Sequence, residues 1–75
     1  MNDDVDIHEI VDLFGSVQET ANAISMSRQS VYNTLNGSVL TERNKSHIRL
    51  LAVQEAKRQI ARANKIIEKY DVPAN

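Results

Sequence analysis

An all-α fold is what this chain predicts: three short helices containing a helix-turn-helix, followed by one long C-terminal helix. Three observations carry that expectation. Apolar residues in the first half recur three and four apart, which is the spacing of one helix face. The second and third of these runs are preceded at once by a serine able to cap a helix, and a break signal follows each of the three. From Glu42 to Tyr70 there is neither glycine nor proline, and good helix formers dominate.

The first helix is expected after a frayed acidic start at Met1 to Asp4, with Asp3 or Asp4 as its cap. Ile7, Ile10, Val11 and Phe14 form its inner stripe. Gly15 ends it, because glycine enters the left-handed conformation that often follows a last turn. Ser16 with Glu19 three residues on reads as a capping box for a second helix from Val17 to about Ile24, with Val17, Ala21 and Ile24 facing inward. Ser25-Met26 is a break and Ser27 a further cap. A third helix runs from Arg28 to about Leu35, turning Val31 and Leu35 inward and Arg28, Gln29, Tyr32 and Asn33 outward. Asn36-Gly37-Ser38 is a stop and turn. Thr41 caps the last element, which is either one helix of about 43 Å or two with a bend near residues 46–48. The sequence divides into a helix-turn-helix unit over 1–40 and a long helix over 41–75, ended by Pro73 and a small polar tail.

Seventy-five residues make one small domain. Scaffolds of this size usually draw extra stability from disulfides, a metal or a partner chain. With no cysteine, disulfides and thiolate metal sites are out, which leaves oligomerisation. No apolar run approaches the roughly 20 residues needed to cross a bilayer. The Met-Asn-Asp-Asp opening is also the opposite of a basic signal-peptide start, so a cytoplasmic protein is expected.

The net charge of −1 is unevenly spread. Residues 1–20 hold six acidic side chains and no Lys or Arg, whereas residues 21–75 hold all nine basic side chains against four acidic ones. Attraction to phosphate follows the local field, since charges are screened beyond about 8–10 Å at physiological salt. An acidic first helix turned away from a polyanion therefore does little harm.

Two short capped helices joined by a tight turn form the unit of a helix-turn-helix. Ala21 is small where the two would cross, and Ile24, Met26 and Val31 fill the wedge between them. The second helix of such a pair offers the outer residues of its N-terminal part to the major groove. Arg can pair bidentately with guanine, and Gln or Asn with adenine.

The stretch from Phe14 to Leu35, FGSVQETANAISMSRQSVYNTL, resembles the helix-turn-helix of the phage Cro and CI repressor group. Phe14-Gly15, Ala21 and Ser27-Arg28-Gln29-Ser30-Val31 carry the likeness, which covers about a third of the chain. The departure is Ser25, where that family usually has glycine. The stretch is also similar to the DNA-binding end of Fis-like proteins, although there the long helices precede the motif rather than follow it. The resemblance implies Arg28, Gln29, Tyr32 and Asn33 as the base-facing set, Ser27 and Ser30 as contacts to phosphate or base edges, and Gln18 as a backbone-phosphate contact. Arg43, Lys45 and Arg49 lie near the motif in sequence and are further phosphate candidates.

In the long helix, Val53, Ala56, Ile60, Ala63, Ile67 and Tyr70 alternate spacings of three and four, with Val, Ile and Ile at a and Ala, Ala and Tyr at d. β-Branched residues at a favour two-stranded pairing, so a homodimer through this stripe is expected. Parallel and antiparallel pairing both remain open. Two recognition helices about 34 Å apart would read a palindrome that one cannot. Arg58, Arg62, Lys65 and Lys69 make a basic stripe on another face, which is commonly just a solvated face.

Other chemistry finds little footing. His8-Glu9-Ile10-Val11-Asp12 misses the zinc motif H-E-x-x-H by its last residue, so neither metal nor cofactor is expected, and His47 reads as a surface or core-edge residue. Gly15 and Gly37 are isolated, so no phosphate-cradling loop is expected. No enzyme is expected, nor a small-molecule ligand. The function expected is a sequence-specific regulator of double-stranded DNA, a Cro-like repressor binding a palindromic operator as a dimer. Its setting would be the cytoplasm of a bacterial host, associated with the nucleoid. The competing class is a protein-interaction module of antirepressor or antitoxin type that uses the C-terminal helix to hold a partner.

Overall fold

The computed structural model describes residues 5–71. They form α1 (Ile7–Phe14), α2 (Val17–Ile24), α3 (Arg28–Leu35) and α4 (Glu42–Tyr70), with no strand among the described residues. The first three pack into a small cluster that sits on the N-terminal half of α4.

Local chemistry sets each boundary. Asp6, rather than Asp3 or Asp4, caps α1: its Oδ1 accepts the His8 N–H at 2.9 Å. The expected caps and the frayed start lie outside the described residues. Asp6 wins because it immediately precedes Ile7, the first buried position of the stripe. Gly15, at φ 104°, closes α1 and donates its N–H to Val11 O at 2.8 Å. Ser16 Oγ accepts the Glu19 N–H at 3.1 Å and starts α2. Ser25 ends α2 in the left-handed region, at φ 58° and ψ 41°. Ser27 Oγ accepts the Ser30 N–H at 3.1 Å, and Thr41 Oγ1 accepts the Asn44 N–H at 3.1 Å. The last helix is unbroken across residues 46–48.

The core is Ile7 and Ile10 of α1, Ala21 and Ile24 of α2, Val31 of α3, and Ile48 of α4, with Ile48 only 1% exposed. Val11, Phe14, Val17, Leu35, Leu51 and Ala52 pack around it, half-buried. Thr20 is fully buried as well, a position the apolar pattern does not mark. Its hydroxyl donates to Ser16 O at 2.7 Å, which satisfies the polar group inside the core.

One contact extends the cluster along α4. Gln59 Nε2 donates to Leu13 O at 2.6 Å and to Glu55 Oε2 at 3.0 Å, so the end of α1 is tied to the middle of the long helix. From Lys57 to Tyr70 every residue of α4 is exposed.

Candidate nucleic-acid interface

The surface of α3 follows from its buried side. Val31 is fully buried, and on a helix the opposite face lies about half a turn away, at Gln29 and Asn33. Those two form the exposed crest, and Gln29 Nε2 donates to Asn33 Oδ1 at 3.0 Å. Arg28 and Tyr32 lie on the flank toward α2, both exposed. Ser30, half-buried, lies on the flank toward the start of α4. The structure therefore brings the expected base-facing set together on one solvent-facing side.

On the α2 flank, Arg28 Nη1 donates to Gln18 Oε1 at 3.3 Å, and Gln18 Nε2 donates to Asn22 Oδ1 at 3.0 Å. A polar chain thus runs from α2 across the turn to the first residue of α3. The turn itself depends on Ala21, 3% exposed, and on Ser25, which adopts the backbone where glycine has no steric penalty. The Met26 N–H returns to Ala21 O at 3.0 Å and closes the turn.

Ser27 and Ser30 are engaged with each other. The Ser27 hydroxyl donates to Ser30 Oγ at 2.8 Å while it caps the helix. Contact of either with a phosphate would share or replace those bonds.

The three basic residues at the start of α4 do not form one patch. Arg43 and Lys45 are two residues apart and so face different ways. Lys45 is half-buried beside Val5 and Asp6, and its Nζ pairs with Glu42 Oε1 at 3.4 Å. Arg49 shares that face of the helix, one turn on. The groove beside Ser30 and Asn33 is lined on its other side by Asn44 of α4, its cap Thr41 and the preceding Leu40. Sequence reasoning missed Asn44 because it sought charge, whereas the cap at Thr41 was the available signal for a helix start in this region.

The six residues of the heptad stripe lie along α4, with Val53, Ile60, Ile67 and Tyr70 between 52% and 67% exposed and Ala56 half-buried. The face that packs on the cluster, through Ile48, Leu51, Ala52 and Glu55, lies about a quarter turn from the stripe. The chain's own helix-turn-helix therefore leaves the stripe exposed at every position but Ala56. In the basic stripe, Arg58 Nη1 pairs with Glu55 Oε1 at 2.7 Å, and Arg62 borders a groove with Phe14, Glu19 and Asn22.

Among the described residues there is no group of His, Asp or Glu placed to hold a metal ion, and His47 is exposed on α4. Among the described residues no helix is long and apolar enough to cross a membrane. No family model, curated protein or solved structure matches the chain at a significant level.

Proposed function

We propose that the protein is a sequence-specific regulator that binds double-stranded DNA through α3, acts as a repressor, and does so as a homodimer paired through α4. The observation that carries this reading is the crest of α3, where Arg28, Gln29, Tyr32 and Asn33 share one exposed side of a helix whose other side is locked by Val31. Their donors and acceptors suit guanine and adenine edges in the major groove. Gln18 at the start of α2 and Asn44 at the start of α4 flank the crest, where helix N-termini favour phosphate. The charge distribution supports the same reading: α4 carries eight of the nine basic side chains, against Glu42, Glu55 and Glu68. The setting that fits is the cytoplasm of a bacterial host, on nucleoid DNA.

Selecting bound sequences from a random duplex pool tests this. The expected result is an enriched palindrome whose half-sites are about one helical turn apart. No enrichment, together with no binding to random duplex at low salt, would remove the reading. In that case the uncovered apolar stripe of α4 favours the second reading, a module that holds another protein.

A further inference from the structure

The stripe on α4 contains more than a tendency to pair. We infer that α4 pairs antiparallel with a second copy of itself, with the two-fold axis passing between Ala61 and Arg62 of each chain. This rests on the reading that α4 is the dimer element, and it adds the orientation and the register.

Side-chain size is the first argument. Antiparallel pairing sets a positions against d positions. About that axis, Ile60 meets Ala63 of the second copy, Ala56 meets Ile67, and Val53 meets Tyr70. Each alanine is then filled by an isoleucine. In a parallel pair each alanine would face its own copy and leave a gap, while the two Tyr70 rings would crowd one level. Close packing favours large against small across an interface.

Charge gives the same answer. Lys57 and Glu68 lie on one flank of the stripe, both exposed. Antiparallel pairing brings Lys57 within about 3 Å, along the axis, of Glu68 in the second copy, and does so twice by symmetry. In a parallel pair these charges are eleven residues, or about 16 Å, apart.

A third observation is Ile66, which is 57% exposed and lies outside the stripe, on the side of α4 that faces the helix cluster. Antiparallel pairing places it beside Gln59 of the second copy, whose amide is bonded to Leu13 O. An apolar side chain with no role in the single chain thereby gains cover.

The consequence is geometric. An antiparallel pair has its two-fold axis across the helices, so both helix-turn-helix units fall on the same face of the pair. A parallel pair puts them on opposite faces. The units attach near Ile48 to Gln59, which sets them roughly 25–30 Å apart along α4. The recognition helices lie toward the α4 N-terminus, beside Asn44, which makes their spacing longer than that of the attachment points.

Cysteine cross-linking tests the orientation, since the chain has no cysteine of its own. Val53→Cys and Tyr70→Cys alter exposed positions and leave the core untouched. In a glutathione redox buffer, a mixture of the two variants, one carrying a mass tag, is expected to give the mixed disulfide dimer, and neither variant alone any. A self-linked Val53→Cys dimer would overturn the proposal in favour of parallel pairing. A dimer by sedimentation with no disulfide in any mixture would overturn the orientation while leaving α4 pairing in place. A monomer by sedimentation would overturn both. Duplex titration of the unaltered protein reads the DNA-binding reading separately.

Discussion

Arg28 opens α3, and its guanidinium donates to Gln18 Oε1 at 3.3 Å, ten residues back at the start of α2. Both side chains are exposed, so this bond adds little to stability. Its effect is on aim. A long arginine side chain held on one flank of α3 loses less freedom on meeting a base than one that samples every rotamer.

On that footing, Arg28→Ala and Gln29→Ala should each weaken binding to a selected duplex by about 1–3 kcal/mol, roughly 5- to 150-fold. They should also relax the preference at the base each one reads, with the melting temperature unchanged. Gel-shift titration against the selected sequence and its single-base variants measures both effects. Unchanged affinity and preference in both variants would remove these residues from the reading set.

Gln18 and Arg28 should behave as a coupled pair. In a double-mutant cycle of Gln18→Ala and Arg28→Ala, the losses of duplex affinity should fall short of additive by at least about 0.5 kcal/mol. Additive losses would show that Gln18 does not position Arg28.

Ser25→Gly should stabilise the fold. Serine in the left-handed region, at φ 58°, carries about 1–2 kcal/mol of steric cost. Glycine removes that but adds about 0.4–1 kcal/mol of unfolded-state entropy. The net gain is on the order of 0.5–1 kcal/mol, which raises the melting temperature of a chain this size by about 2–8 °C. Thermal unfolding followed by circular dichroism checks the sign, and a lower melting temperature would show that the Ser25 side chain contributes something glycine lacks.

Ile48 is the only fully buried side chain that α4 gives to the core among the described residues. Ile48→Ala should cost about 2–5 kcal/mol, a large share of what so small a domain has. Urea titration should show most of the transition lost. A midpoint close to that of the unaltered protein would mean the cluster holds together without α4.

Ile60→Asp tests the link between pairing and binding. The position is 60% exposed, so the single chain should keep its fold. Sedimentation should show a monomer, and affinity for a two-half-site duplex should fall to that for one half-site. Full affinity in a monomeric variant would separate α4 pairing from DNA binding.

The local signals determined most of the architecture. Ser16, Ser27 and Thr41 each begin a helix with a short hydroxyl side chain that accepts the backbone N–H three residues on, and Gly15 and Ser25 each end one. These are nearest-neighbour effects, decided within four residues, so the order of the helices and most of their bounds are legible in the sequence, though not the start of α1 at Asp6 or the continuity of α4. So is the outward side of α3, because Val31 and Leu35 leave only one face for the polar residues. Tertiary packing decided the rest. Thr20 enters the core because its hydroxyl can return to Ser16 O, which no apolar pattern announces. Lys45 turns toward Val5 and Asp6 while Asn44 turns toward α3, because the angle at which α4 crosses the cluster selects between neighbours in the chain. That angle comes from the fit of Ile48, Leu51 and Ala52 against helices distant in sequence, and spacing along one helix carries no information about it.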